Sequence, residues 1–290
     1  MARIFKSLSH LNISQNMKLH FLNPLLAVLF FTTLLSSCGR GDRNEETLMD
    51  QFLEADAVNE QLTHFEDEGA ETALDQRVPE AEVAGLLSSG GCATVTRDTL
   101  STPRRITIDY GPVNCLCRDG RYRRGIVFVD YTGQRGVAGS TATLSFSGYF
   151  VNDRGISGSR TISYAVSPTG NPLRTTQYNI TVTQPNQSGT FNRQGQRVRE
   201  KIAGDGTSSL LDDVYLVTGS GSGSRMGGLV YSHNIVTPLR REGSCRWIVS
   251  GSIQFSRTGR NTRTLDFGNG GCDDQATVTN GNRTRTITLP

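Results

Sequence analysis

Histidine is scarce. The 290-residue chain has four, and only His64 and His233 lie beyond Cys38. That supply excludes most Ser-His-Asp, Cys-His and multi-histidine metal schemes, which need an imidazole base or several imidazole ligands. Lysine is scarcer still in the body, where Lys201 stands alone and arginine carries the remaining positive charge. No segment past residue 90 sustains a 3.6-residue apolar period, so a helical body is excluded. The glycine-rich "TGSGSGSRMGG" (218–228) lacks Gly-Lys-Ser/Thr and opens no helix. It is therefore no phosphate loop and is expected as a flexible hairpin tip.

Acidic residues are missing altogether before Cys38, and an apolar run, "FLNPLLAVLFFTTLL" (21–35), follows Lys18 and His20. A run of this length behind a basic residue matches the apolar core of a secretory signal better than a membrane span. It ends in Leu35-Ser36-Ser37-Cys38. This resembles the bacterial lipobox, which implies that Cys38 receives a diacylglycerol thioether and becomes the mature N-terminus. Residues 1–37 are then a lipoprotein signal peptide, with Met17-Lys18 as the natural start. Two or three acyl chains anchor stably where one does not.

Charge is divided. From Gly39 to Glu82 there are 3 arginines and 14 acids (3 − 14 = −11), and from Val83 onward 24 basic and 13 acidic residues (24 − 13 = +11). The stretch "TLMDQFLEADAVNEQLTHFEDE" (47–68) spaces Leu48, Phe52, Leu53, Leu62 and Phe65 loosely as a helix would. Residues 38–90 read as a partly helical acidic tether. Arg40-Gly41-Asp42 within it is a chance tripeptide. In the body the arginines are scattered and alternate with Thr or Ser ("RTRTIT", "GRNTRT"), as on solvent-facing strand positions. Nucleic-acid binding would need them clustered among aromatics. An anionic envelope glycan or the acidic tether suits them better.

From about Cys92 the chain is β-patterned. "RRITIDY", "RGIVFVDYT", "TATLSFSGYFV", "SRTISYAV", "TQYNITVT", "DVYLVTG", "GLVYSHNIV", "RWIVSGSIQF" and "TRTLDFG" alternate apolar and polar residues. Asp119-Gly120, Thr258-Gly259 and Asn280-Gly281 mark hairpins. The expectation is one all-β domain over 91–290, an antiparallel sandwich or flattened barrel of roughly a dozen strands.

One motif occurs twice. "ITIDYGPVNC" and "TLDFGNGGC" each place an Asp (Asp109, Asp266) before an aromatic and a Gly, with a Cys six residues after the Asp (Cys115, Cys272). Each copy has an earlier Cys, so Cys92 is expected to pair with Cys115 and Cys245 with Cys272. Disulfides suit an exported chain. Cys117 is left as a free thiol or as an alternative partner of Cys92. A Cys-x-Cys redox site would need a thioredoxin-like βαβ pattern around it, which is lacking.

Asp109 and Asp266 are the tempting pair for carboxylate chemistry on glycans. A catalytic pair, however, needs two different environments, and repeated positions point to the same local task at a turn. Asp266, Asn269, Asp273 and Asp274 fit no standard calcium loop, so neither metal nor cofactor is expected. Asp98-Thr99-Leu100 matches the Bacteroidetes-type O-glycosylation consensus, with Thr99 as acceptor.

Lipobox, acidic spacer and the stretches "DGRYRRGIVFVDYTG", "DDVYLVTG" and "SCRWIVSGSIQF" together resemble a group of uncharacterised Bacteroidetes-type lipoproteins over most of residues 34–290. The resemblance implies a lipid-anchored protein of the outer membrane and carries no activity. The expected role is non-catalytic binding or structural support. Its expected partners are the membrane and an envelope glycan or protein, and no nucleic acid. The alternative is a glycan hydrolase using Asp109 and Asp266.

Overall fold

The computed structural model describes residues 73–74, 78–185, 189–207, 209, 211–225 and 229–289. A helix, α1 (Glu80–Leu87), precedes a continuous antiparallel sheet. Its strands are β1 (Thr94–Asp98), β2 (Arg104–Asp109), β3 (Cys115–Leu116), β4 (Tyr122–Thr132), β5 (Thr141–Val151), β6 (Arg154–Val166) and β7 (Pro172–Thr183). They continue as β8 (Thr190–Ala203), β9 (Val214–Arg225), β10 (Leu229–Glu242), β11 (Ile248–Arg257), β12 (Arg263–Asn269), β13 (Gln275–Asn280) and β14 (Arg283–Thr288).

The order across the sheet is the order of the chain, except that short β3 pairs beside β4. Each strand therefore hydrogen-bonds to its sequence neighbour through a turn, the least costly closure available to a β chain. β1 and β14 end the order and do not pair, so the sheet is not a closed barrel. The architecture is all-β and antiparallel, as expected for a sandwich or flattened barrel.

The turns follow from residue chemistry. Gly120, Gly259 and Gly281 take φ of 77°, 73° and 58°, the left-handed values that the three hairpin dipeptides require. A further hairpin, β5–β6, turns on Asn152 and Asp153, both at positive φ (47° and 63°), as a two-residue loop with a right-handed twist demands.

Strand alternation sorts the side chains onto two faces. Ile106, Val129 and Leu144 are direct cross-strand partners on one face, each fully buried. They belong to a core that Val83 and Leu87 of α1, together with Ala73 and Leu74, complete. Helix and Ala73-Leu74 thus pack with the sheet, although they precede residue 91, where the β domain is expected to start. Burying side chains of this size stabilises by roughly 1.5–3 kcal/mol each.

The opposite face is hydroxyl- and amide-rich. Thr143, Thr161, Gln177, Gln196, Ser220 and Asn234 are consecutive partners from β5 to β10. Hydrogen bonds join Thr143 to Thr161 (3.2 Å) and Gln177 to Gln196 (3.3 Å). Such cross-strand pairs add a few tenths to 1 kcal/mol each.

Candidate functional site

The two copies of the repeated motif do the same local work. Asp109 Oδ1 accepts the Gly111 N–H at 2.7 Å, and Asp266 Oδ1 accepts the Gly268 N–H at 2.8 Å. Both glycines take left-handed φ, 77° and 81°. Each carboxylate closes a two-residue turn, which only a short side chain in front of a glycine can do. Ile108 and Leu265, next to the aspartates, are buried on the core face, so alternation puts both carboxylates on the other face. They stand on β2 and β12, with β4 to β11 between them in the sheet.

Disulfides join Cys92 to Cys115 and Cys245 to Cys272, with Cα atoms 5.7 and 5.8 Å apart. These are the expected pairs. Cys117 is a free, buried thiol. Burial pushes its pKa up, with Arg123 opposing, which keeps it a poor nucleophile. Beside it Arg123, completely buried, makes a bidentate pair with Asp119 (2.8 and 2.9 Å) and donates through Nε to Tyr149 Oη at 3.1 Å. Burial pulls the Asp119 carboxyl upward, but the Arg123 guanidinium outweighs it and holds the carboxyl below its usual range.

Thr99 is exposed in the β1–β2 turn, where Asp98 Oδ1 accepts the N–H groups of Leu100 and Ser101 at 2.9 and 3.1 Å. Cys38, Arg40-Gly41-Asp42, the acidic stretch 47–68 and His64 lie outside the described residues. Among the described residues no group of three or more His, Cys, Asp or Glu side chains could hold a metal ion. No helix among them is long and apolar enough to cross a membrane, which says nothing of strands.

Arg160, Arg174, Arg193, Arg197 and Arg199 of β6 to β8 do not lie on solvent-facing positions. Arg160 continues the row Ile106–Val129–Leu144, and its partners in turn are Tyr178, Gly195, Gly221 and His233. Arg193 sits opposite Ile180, Arg197 opposite Thr176, and Arg199 opposite Arg174. All therefore share the core face, where Arg160, Arg193 and His233 are 4%, 8% and 4% exposed. Arg263 likewise pairs with Phe255, and Arg285 with Val278, while their threonine neighbours take the other face. The alternation Arg-Thr was legible, but its phase is set by register, and one residue of slip exchanges the faces.

The "TGSGSGSR" run is also not a hairpin tip. It is the body of β9, and its glycines 219, 221 and 223 alternate on the arginine face. A Cβ on Gly221 would stand 2.7 Å from both His233 Cε1 and Tyr178 Oη, and one on Gly223 would stand 2.6 Å from Tyr231 Oη. The aromatic side chains lie over strand positions that have none of their own, which spares the glycines a packing void. The period-2 spacing of three glycines was the signal available for this strand.

At one end of this face Arg199 Cζ lies 3.6 Å from the Tyr215 ring centroid. Tyr215 donates to Asp213 Oδ2 at 2.5 Å, and Lys201 Nζ stands 2.8 Å from Asp213 Oδ1. Burial pulls the Asp213 carboxyl up, but hydrogen bonds from Lys201 and Tyr215 hold it below the usual range. Arg197 Nη2 and His233 Nε2 approach to 3.5 Å. Across β6 to β9 the single carboxylate is Glu200, which is on the opposite face and accepts from Asn171 at 2.7 Å.

No protein-family model matches the chain, and neither a curated protein nor a solved structure is similar to it.

Proposed function

We propose that this chain is a lipid-anchored protein of the cell envelope. It is held at the outer membrane through Cys38, and its β domain has a non-catalytic binding or structural role. The observation that carries the reading is Leu35-Ser36-Ser37-Cys38 at the end of a signal-like apolar run. Two disulfides support it, because such bonds persist in oxidising compartments. It agrees with membership of the lipoprotein group that the chain resembles, and with Thr99 as a glycosylation acceptor on an exposed turn. The partner class is an envelope glycan or another envelope protein.

The hydrolase alternative asks for Asp109 and Asp266 at one cleft with distinct roles. Their like engagement at two turns, with eight strands of the order β4 to β11 between them, weighs against it. Globomycin, which blocks lipoprotein signal peptidase, or Cys38→Ala should make the unprocessed precursor accumulate. Normal maturation and membrane fractionation under both would refute the anchor.

A further inference from the structure

We propose that β14 is the edge on which a second copy of this chain adds, strand to strand about a two-fold axis, so that two sheets become one. The two ends of the sheet are built differently. At β1, helix α1 packs alongside, and Glu80 Oε1 accepts the Arg97 N–H at 2.8 Å, so a helix side chain takes up a backbone donor of that edge strand. At β14 the one strand neighbour among the described residues is β13. Proline, bulges and covering helices are the usual means of keeping an edge strand single. β14 contains no proline, pairs with β13 without a bulge and exposes Thr284, Thr286 and Thr288.

The register with β13 fixes which backbone groups face outward. Antiparallel partners alternate between residues that exchange both backbone bonds and residues that exchange none. The Leu289 N–H donates to the Asp274 carbonyl at 2.7 Å, and the same alternate positions are Ile287 with Ala276, Arg285 with Val278 and Arg283 with Asn280. Those residues turn their N–H and C=O groups to β13. Thr284, Thr286 and Thr288 therefore turn theirs to the open side, as a row of alternating donors and acceptors.

This strand is complementary to itself in one register. An axis through Thr286 sets Thr286 opposite Thr286 of the second copy and Thr284 opposite Thr288, so each outward N–H meets a carbonyl. Arg285 then lies opposite Ile287, and Arg283 opposite Leu289. Both apolar side chains are half-buried at the edge, and the arginine stems cover them. An axis through Arg285 or Thr284 would put arginine directly against arginine, which destabilises an antiparallel pair. An axis through Ile287 would pair only two of the three threonines. The contact uses one patch twice and closes at two copies, because the other edge of each sheet lies beside α1. It rests on β14 and stands whether or not Cys38 carries lipid.

Oxidative cross-linking of the full chain tests the register. Hydrogen-bonded partners stand ~5.5 Å apart at Cα, within disulfide reach. Thr286→Cys should cross-link to itself. Thr284→Cys and Thr288→Cys should each do so at least tenfold less, and should link efficiently when mixed with each other. Efficient self-linking of T284C or T288C, or no linking of any above the unaltered chain, would overturn the proposal. Thr286→Pro removes an outward N–H that β13 does not use, a position where an edge strand accepts proline. In sedimentation of the full chain in detergent it should weaken dimerisation at least tenfold, with the melting temperature unchanged. A monomeric unaltered chain, or a folded T286P variant as dimeric as the unaltered chain, would also overturn it. The cross-links decide independently of how well that variant folds.

Discussion

Asp109 and Asp266 show how one residue type can suggest chemistry and perform architecture. A carboxylate that accepts a backbone N–H two residues on closes a turn, and its loss leaves that donor to water. Asp109→Ala and Asp266→Ala should each cost about 1 kcal/mol in urea unfolding, the ordinary net value of such a bond. A several-fold inequality between the two would contradict their equivalence. Arg123 and Asp119 are the opposite case, a pair whose partners depend on each other. Asp119→Ala leaves a fully buried guanidinium without its carboxylate and should cost roughly 3–5 kcal/mol, whereas replacing both residues by apolar ones should cost far less. The same pair sets an acid limit. The Asp119 carboxyl is held below its usual range, as is that of Asp213, so their contribution is complete above the unfolded value of about 4. It is lost as pH falls through the lower folded values, and unfolding midpoints measured from pH 6 to pH 2 should drop over that interval. In D119N the drop should be smaller.

For the strands and the helix, glycine position decides the outcome of substitution. Gly219 in β9 has φ of 140°, and a Cβ there would lie 2.1 Å from the Gln196 carbonyl. Gly219→Ala should destabilise by roughly 1–3 kcal/mol from overpacking, with backbone strain of similar size added. Gly85, within α1, has nothing within 4 Å of its Cβ position and no positive φ. Gly85→Ala should therefore raise the melting temperature, by about 0.5–1 kcal/mol of helix propensity. Thermal unfolding of the two variants side by side checks the contrast, and a destabilised G85A would overturn it. The β9 strand was hidden because glycine and serine have low strand propensity, and propensity yields to packing when aromatic side chains cover the glycines. The Asn152-Asp153 turn was hidden for a simpler reason. Neither residue is glycine, yet Asn and Asp tolerate the left-handed region better than other side chains.

Over the whole molecule, two disulfides close loops of 23 and 27 residues, near the N- and C-terminal ends of the sheet. Loop-closure entropy grows only with the logarithm of length, so removing either bridge (both Cys to Ala) should cost nearly the same, about 3 kcal/mol. Denaturant midpoints of the two double variants test this. The order of strands explains why the sheet's existence was readable while its face assignment was not. Nearest-neighbour pairing through short turns can be read from alternation and turn residues alone. Which alternate residue looks inward is fixed by register along thirteen paired strands, and register is a property of the assembled sheet.

The sequence by itself determined the opposed charges of the two segments, the β class, the hairpin dipeptides and the cysteine pairing. These depend on composition and on contacts a few tens of residues apart, which spacing can carry. Only the tertiary structure decided that glycine-rich 218–225 is a strand and that Arg160, Arg193, Arg197 and Arg199 share the core face. Those facts arise from pairing between distant strands, where a shift of one residue reverses inside and outside without changing a letter of the local pattern.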